Sequence, residues 1–222
     1  MKHYDSIPRI QDSGELKGEI VWGFNKLDGQ NFCVAYNPRK NTFGPFGSRK
    51  HTVDENDLQF GDAVKWFKCS GYQEILSRIV KENSGKRGIF NGIQEVTFIF
   101  EWYGPDSFAG SGEKTNLALI DVFLKKRGYL EPSIYYALFK DSGIELPRLI
   151  YTGALDSDII ERIQRNDWTK TDCEFPDVKE GVVFKRSTML KGQRRPSVKV
   201  KTKWWLEKLH TIYTEEECRL LE

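Results

Sequence analysis

Histidine and cysteine are scarce in this chain of 222 residues, which has three of the first and four of the second. Cys33, Cys69, Cys173 and Cys218 lie far apart and form no C-x-x-C pair, so neither a zinc site nor a disulfide framework is expected. No run approaches the roughly 18 apolar residues that a membrane-spanning helix needs. The polar start, MKHYDSIPRIQDSGE, has no apolar centre for a secretion signal. A cytoplasmic protein with reduced thiols and no membrane contact is the expectation. Because His3, His51 and His210 are widely separated and no serine elbow is present, hydrolase triads have no support. Phosphate loops fail as well. NSGKRG (83–88) has Arg87 where a magnesium-binding Ser or Thr is required, GSGEKT (110–115) has Glu113 in place of a glycine, and no G-x-G-x-x-G follows a strand. Any chemistry here must rest on Lys, Arg, Asp and Glu.

What the chain does have is a core and an uneven charge. At 39% hydrophobic and 13% aromatic, with six Trp, it can bury a sizeable interior. The net charge of +2 conceals an asymmetry. Residues 185–208 carry nine Lys or Arg against one acid, Glu207, whereas residues 141–180 carry ten acids against five bases. A basic block in a near-neutral protein suggests a local polyanion site, and a solvated basic face is the plain alternative.

Residues 19–24 (EIVWGF) and 30–36 (QNFCVAY) read as strands joined by a hairpin-like Lys-Leu-Asp-Gly turn. Residues 37–50, rich in Gly and Pro, read as loop. Apolar residues recur at helical spacing from Asp62 to Glu82, with an interruption at Gly71. Residues 95–102, 117–124, 181–185 and 197–201 read as strands. Residues 131–143, 156–166 and the tail after Thr202 read as helices. With no repeat or linker, the expectation is one α+β domain, residues 1–222, built on antiparallel sheets with flanking helices.

The chemistry-bearing residues fall in a distinctive order. Lys26-Leu-Asp28-Gly29-x-Asn31 is followed by Arg49 in FGSRK, Glu101 in FIFEWYG, Ile120-Asp121 in ALIDVFL, Glu180 in EGVVFK, and Lys199 and Lys201 in VKVKTKWW. This order resembles the covalent nucleotidyltransferases, the superfamily of polynucleotide ligases and mRNA capping enzymes. The resemblance implies an ATP-grasp-like ligase adenylation domain. Asn31, the opening YDSIPRI…GEIVWGFNKLDGQNF and the closing VKVKTKWWLEKLH are similar to phage-type ATP-dependent RNA ligases, whereas DNA ligases and capping enzymes carry Arg in place of Asn31.

By that resemblance the nucleotide is ATP, used with Mg2+ or Mn2+. Lys26 forms lysyl-AMP, the AMP moves to an RNA 5′-phosphate, and a 3′-hydroxyl displaces it. Lys199 and Lys201 are then catalytic, and Glu180 is a metal ligand. Asn25, Asp28, Gly29, Asn31, Arg49, Glu101, Ile120, Asp121 and Glu180 bind nucleotide. Ile120 occupies the place of an adenine-stacking aromatic, for which Phe123 or Trp102 are substitutes, aliphatic packing being the other option. Arg194 and Arg195, in a loop before the last strand, are expected to reach the nucleic-acid backbone. The tail after Lys201 is too short for an OB-fold, which implies either a minimal ligase or an adenylation core served by a separate partner protein or domain.

Elementary chemistry points the same way. An attacking lysine must be a free amine, which calls for nearby positive charge to lower its pKa. Lys199 and Lys201 share one face of their strand, while Val198 and Val200 share the other. Glu101 faces away from Phe98 and Phe100, and Gly29 gives the backbone close access to the nucleotide. Taken singly, a turn lysine, two strand-end carboxylates, an exposed arginine and a strand-capping Asp121 would all be ordinary. The competing functions are a minimal DNA nick ligase, a GTP-using capping enzyme and a non-catalytic nucleic-acid-binding protein on the same fold.

Overall fold

The aromatic and β-branched runs become strands that pair antiparallel, and the segments with helical spacing pack on them as helices. The computed structural model describes residues 1–110, 112–188 and 195–221. In the smaller sheet β1 (Ile20–Asn25) lies between β8 (Leu149–Ala154) and β9 (Gly181–Arg186), with β10 (Ser197–Lys201) beyond β9. The larger sheet runs in the order β4 (Thr52–Val53), β3 (Thr42–Ser48), β2 (Gly29–Asn37), β5 (Val96–Tyr103), β6 (Asn116–Leu124), β7 (Gly128–Tyr129).

Alternation along the strands decides where the core sits. Phe32, Val34, Phe98 and Phe100 bury one face of the larger sheet against α2 (Gly61–Cys69), α3 (Tyr72–Glu82) and α4 (Pro132–Phe139). Gly71 separates α2 from α3 with a φ of 78°, a left-handed geometry that suits glycine. In the smaller sheet Val21, Val182, Phe184, Val198 and Val200 pack on Ile159, Ile160 and Ile163 of α5 (Ser157–Gln164). The short α1 (Ile10–Ser13) precedes the first strand, and α6 (Lys203–Ile212) and α7 (Glu215–Leu221) end the described chain. The Thr202 hydroxyl caps α6 by accepting from the Trp205 N–H. Among the described residues no helix is long and apolar enough to cross a membrane.

Two expectations about local structure fail. Residues 19–24 and 30–36 are strands but not a hairpin. Both edges of β1 are already taken by β8 and β9, so β2 departs into the other sheet. The segment 42–48 is a strand rather than loop, because pairing with β2 and burial of aromatic rings outweigh its Gly and Pro content. Phe43 stacks on Tyr36 with ring centroids 4.5 Å apart and meets Phe67 edge-on. β8 carries little alternation of its own and is present because β1 offers it an edge.

Candidate active site

Lys26 lies where the chain leaves one sheet for the other, and its backbone N–H donates to the Gly181 carbonyl at 2.8 Å. The uncovered faces of the two sheets meet there around a cleft of about 540 Å³. Lys26, Asp28, Asn31, Glu101, Glu180, Lys199 and Lys201 all line it, as do Asn25, Gly29, Arg49 and Ile120. Period-two alternation explains the placement. Asn31 and Glu101 are cross-strand partners on the face opposite Phe32 and Phe100, and Lys199 and Lys201 lie opposite Val198 and Val200.

At the centre, Glu180 is 3% exposed and accepts from the ammonium of Lys26 at 2.9 Å on one oxygen and from that of Lys201 on the other. Burial resists its charge, but the two ammonium groups outweigh burial and hold its carboxyl below the usual range. Burial, together with the Lys26 charge, pushes Lys199 down to about 8. Lys201 also falls to about 8, chiefly through burial, and its ammonium lies 3.3 Å from the centroid of the Trp205 ring. Glu101 is raised to about 7 by burial and by the negative charge of Glu180.

Lys26 departs from expectation. Burial would lower its pKa, but Glu180 and Glu101 overcome burial and raise it. In this form the amine is a held ammonium rather than a free nucleophile.

Gly29 has a structural reason beside the expected one. A Cβ there would come within 2.4 Å of the Trp102 carbonyl, so the glycine is required by close approach to β5. Gly181, which the sequence reading did not single out, is similar: a Cβ would meet the Val200 carbonyl at 2.0 Å. Asp28 accepts from the Ala109 N–H, tying the turn to the loop before β6. Asn31 donates to the Phe100 carbonyl at 3.3 Å, and the Asn25 side-chain amide donates to the Asp177 carbonyl at 3.0 Å. Arg49 is exposed at the cleft rim.

Ile120 owes its position to a bulge. Ile99 pairs with Asp121 and Phe100 with Leu119, so Ile120 is the extra residue and turns toward the cleft. Neither candidate aromatic replaces it. Trp102 packs against Trp66 on the helical face, and Phe123 packs against Tyr129. The aliphatic option is the one the geometry favours, with Ile7 and Val183 beside Ile120.

Asp121 and Arg195 are corrections. Asp121 is 0% exposed and pairs with Arg195 and with Lys185 at 3.1 Å, while Tyr4 donates to it at 3.2 Å. Arg195 is 4% exposed and also donates to the Leu130 carbonyl. Asp121 is therefore sealed away from a nucleotide and Arg195 from a polynucleotide, because each is the other's partner. Arg194 lies outside the described residues. Among the described residues of the basic block, Arg186 pairs with Glu19, Lys203 with Glu207, and Lys208 donates to the Phe108 carbonyl.

Lys185 is a cleft residue that the sequence reading passed over. Its ammonium donates to the Ile120 carbonyl, and burial lowers its pKa to about 8. Val182 and Phe184 face the core, so the alternation of EGVVFK already places Val183 and Lys185 on the cleft side. The N-terminal segment is a second omission. Tyr4, Ser6 and Ile7 line the cleft because the Pro8 carbonyl accepts from the Lys199 N–H, and no local pattern announces that contact.

The donor set fits a divalent cation of the hard, oxygen-seeking kind. Glu101 and Glu180 offer carboxylates in one cleft, and among the described residues no group of three or more His, Cys, Asp or Glu forms a closed cage. An ion held by one or two carboxylates, with water and phosphate completing its shell, is how Mg2+ is usually bound beside nucleotides.

Comparison with known proteins follows the same line. A family description, RNA ligase, matches residues 19–201. No curated protein sequence matches the chain. Among solved structures, a mutant of the Naegleria gruberi RNA ligase with AMP and Mn superposes with a TM-score of 0.63 at 17% identity, covering 94% of this chain and 58% of that one. Another mutant of that ligase, with ATP and Mn, gives 0.63 at 18% identity with the same coverage. The same enzyme with PPi gives 0.59 at 18% identity, covering 95% of this chain and 58% of that one. The chain thus spans 58% of the length of these ligases and shares their nucleotidyltransferase fold. With a match that takes in Lys26, Glu101, Glu180, Lys199 and Lys201 and covers most of its length, the chain belongs to the RNA ligase family.

Proposed function

We propose that this chain is an ATP-dependent RNA ligase acting as a single adenylation domain, in which Lys26 carries AMP from ATP to an RNA 5′-phosphate that a 3′-hydroxyl then attacks. The observation that carries the proposal is the Lys26–Glu180–Lys201 arrangement at the junction of the sheets: one carboxylate between two lysines, inside a cleft of nucleotide size. A fold kept only for binding would have no need to bury these charges together. The ligands of the Naegleria ligase structures, ATP or AMP with Mn, support the choice of nucleotide and ion.

The first step forms a bond between Lys26 Nζ and the α-phosphorus and breaks the bond to pyrophosphate, after the ammonium gives up a proton. Glu180 and Glu101 set the timing, because their negative charge keeps the proton on Lys26. They are also the residues that would hold Mg2+ or Mn2+. A divalent ion on these carboxylates supplies the positive charge that favours the free amine and neutralises phosphoryl oxygens. Lys199 and Lys201 direct positive charge toward the same oxygens. Asn25, Asp28, Asn31, Arg49 and Ile120 shape the nucleotide pocket, with Ile7, Ile120 and Val183 as its apolar walls.

The test is incubation with α-labelled ATP and Mg2+ followed by a denaturing gel. The parent should retain label, and Lys26→Ala and Lys26→Arg should both lose it, since neither offers a neutral amine. An adduct that survives in either variant assigns the nucleophile to another residue. Sealing of RNA and DNA ends, measured side by side, separates an RNA ligase from a DNA nick ligase.

A further inference from the structure

A second cleft, of about 670 Å³, lies at the other end of β2 from the ATP site. Its floor is Tyr36, Val80, Phe90 and Ile93, all buried. Its rim is basic: Arg39 comes from the turn between β2 and β3, and Arg78 and Lys81 come from α3. Lys40, Lys86 and Arg87 stand in the same turn and in the loop after α3. Segments 36–41 and 77–93 together hold these six cations against one acid, Glu82.

None of the six makes an ion pair or a side-chain hydrogen bond among the described residues. Lys17, Lys114 and Lys126 are exposed and likewise unpaired, but they line neither cleft. Lys65, Lys68, Arg162 and Arg165 each hold a carboxylate. The rim cations are not helix caps either. The Ile79 carbonyl is taken by the Asn83 backbone and side-chain amides, and the Val80 carbonyl by the Ser84 hydroxyl. Unpaired like charges gathered around a concavity repel one another, and a polyanion relieves that repulsion.

We propose that this cleft holds the sugar–phosphate backbone of the RNA at a distance from the end being joined. The proposal rests on the RNA-joining reading above and extends it to a second contact. From Asn31, at the active site, to Asn37, at the cleft, β2 spans about 20 Å. The cleft lies on the α3 side of the sheet and the active site on the other, so the path is at least about six phosphate steps at roughly 3.4 Å each; a substrate of about four nucleotides falls short and one of about twenty reaches. Contact with backbone alone adds affinity without reading sequence.

The experiment compares the parent with an Arg39→Ala/Arg78→Ala/Lys81→Ala variant on single-stranded RNAs of those two lengths. ATP labelling should be unchanged, since none of the three lines the active site, and this also reports a folded domain. Affinity for the long RNA should fall, and the slope of log affinity against log salt should shrink by about two, from three lost contacts at about 0.7 each. The short RNA should bind as before. A control lacking three ion-paired cations, Lys65→Ala/Lys68→Ala/Lys170→Ala, should keep the parent's slope. An unchanged slope in the rim variant, equal losses on both RNAs, or an equal loss in the control overturns the proposal. If the triple variant fails to label, the three single variants carry the test, each with a slope reduced by about 0.7. A parent that neither labels nor binds RNA refutes the joining function itself. A parent that does both while the rim variants match it refutes only the cleft.

Discussion

Two buried carboxylates in this molecule are each gripped by two cations, and only one of them belongs to the proposed chemistry. Asp121 is held by Arg195 and Lys185 under the N-terminal segment, where Tyr4 closes over it. Glu180 is held by Lys26 and Lys201, and all three line the cleft. The difference lies in the cations. Arginine does not give up its proton in proteins, so Arg195 keeps a fixed charge on Asp121 even where Lys185, lowered to about 8, gives up its own. Both partners of Glu180 are lysines: burial lowers Lys201 to about 8, and Lys26 stays an ammonium only through the negative charge of Glu180 and Glu101. Fixed charges suit an anchor that ties the start of β10 to β6. Labile charges suit a site that must turn an ammonium into an amine.

Removing each carboxylate should expose that contrast, and these are the largest effects expected. Glu180→Ala should abolish lysyl-AMP formation, with a loss beyond 1000-fold from removal of a charge at the reacting phosphate, and excess Mg2+ should restore little. Its melting temperature should move only modestly, because Lys201 can go neutral and Lys26 opens to the cleft. Asp121→Ala should do the reverse. It strands a permanent Arg195 charge in the interior, which costs about 3–5 kcal/mol and is read as a large drop in melting temperature. Near-normal labelling in Glu180→Ala would reduce that residue to a structural role. A fully stable Asp121→Ala would mean that the anchor is idle.

Next in size are Lys199 and Lys201, the lysines proposed to face phosphate. Lys199→Ala and Lys201→Ala should each slow ATP labelling in the absence of RNA by about 2–4 kcal/mol of barrier, roughly 30- to 1000-fold. Arg195→Ala should leave the labelling rate of the folded fraction unchanged and lower stability instead, by about 3 kcal/mol for a broken buried pair. A selective loss of RNA binding in Arg195→Ala, with unaltered stability, would return it to the nucleic-acid interface.

The contrast also shows what a sequence can disclose. Lys26, Glu101, Glu180, Lys199 and Lys201 were legible because each stands in a short pattern at the end of a strand, where period-two alternation says which way it points. Lys185 was legible by the same rule in EGVVFK and was passed over. The Asp121–Arg195 pair could not be read that way. The partners are 74 residues apart, and only the folded chain, which brings the segment before β10 against β6, shows that the two side chains satisfy each other. The turn at Lys26 misled for a related reason. Four residues with Asp-Gly look alike whether the flanking strands pair or diverge, and divergence here depends on β8 and β9 having occupied both edges of β1. Local chemistry was therefore visible, whereas the closure of buried charges and the assignment of strands to sheets were not.

The smallest expected effect is a pH dependence that belongs to the labile site alone. Glu101 is raised from 4.5 to about 7 by burial and by Glu180. A carboxyl whose pKa is higher in the folded state binds its proton more tightly there, so folding favours the neutral form. Below about 4.5 the group is protonated in both states and has no effect on stability. As pH rises toward about 7 the unfolded chain ionises first, and the folded state carries a growing penalty that levels off once Glu101 is charged in both. Glu101→Gln removes that penalty, because glutamine stays neutral. The variant should match the parent's melting temperature near pH 4.5, and should exceed it by an increasing margin up to about pH 7.5, where the margin becomes constant. The same substitution should weaken labelling, since a carboxylate is lost from the cleft. If the two melting curves run parallel across this range, Glu101 titrates like an exposed carboxyl, and the labile character of the site rests on its lysines alone.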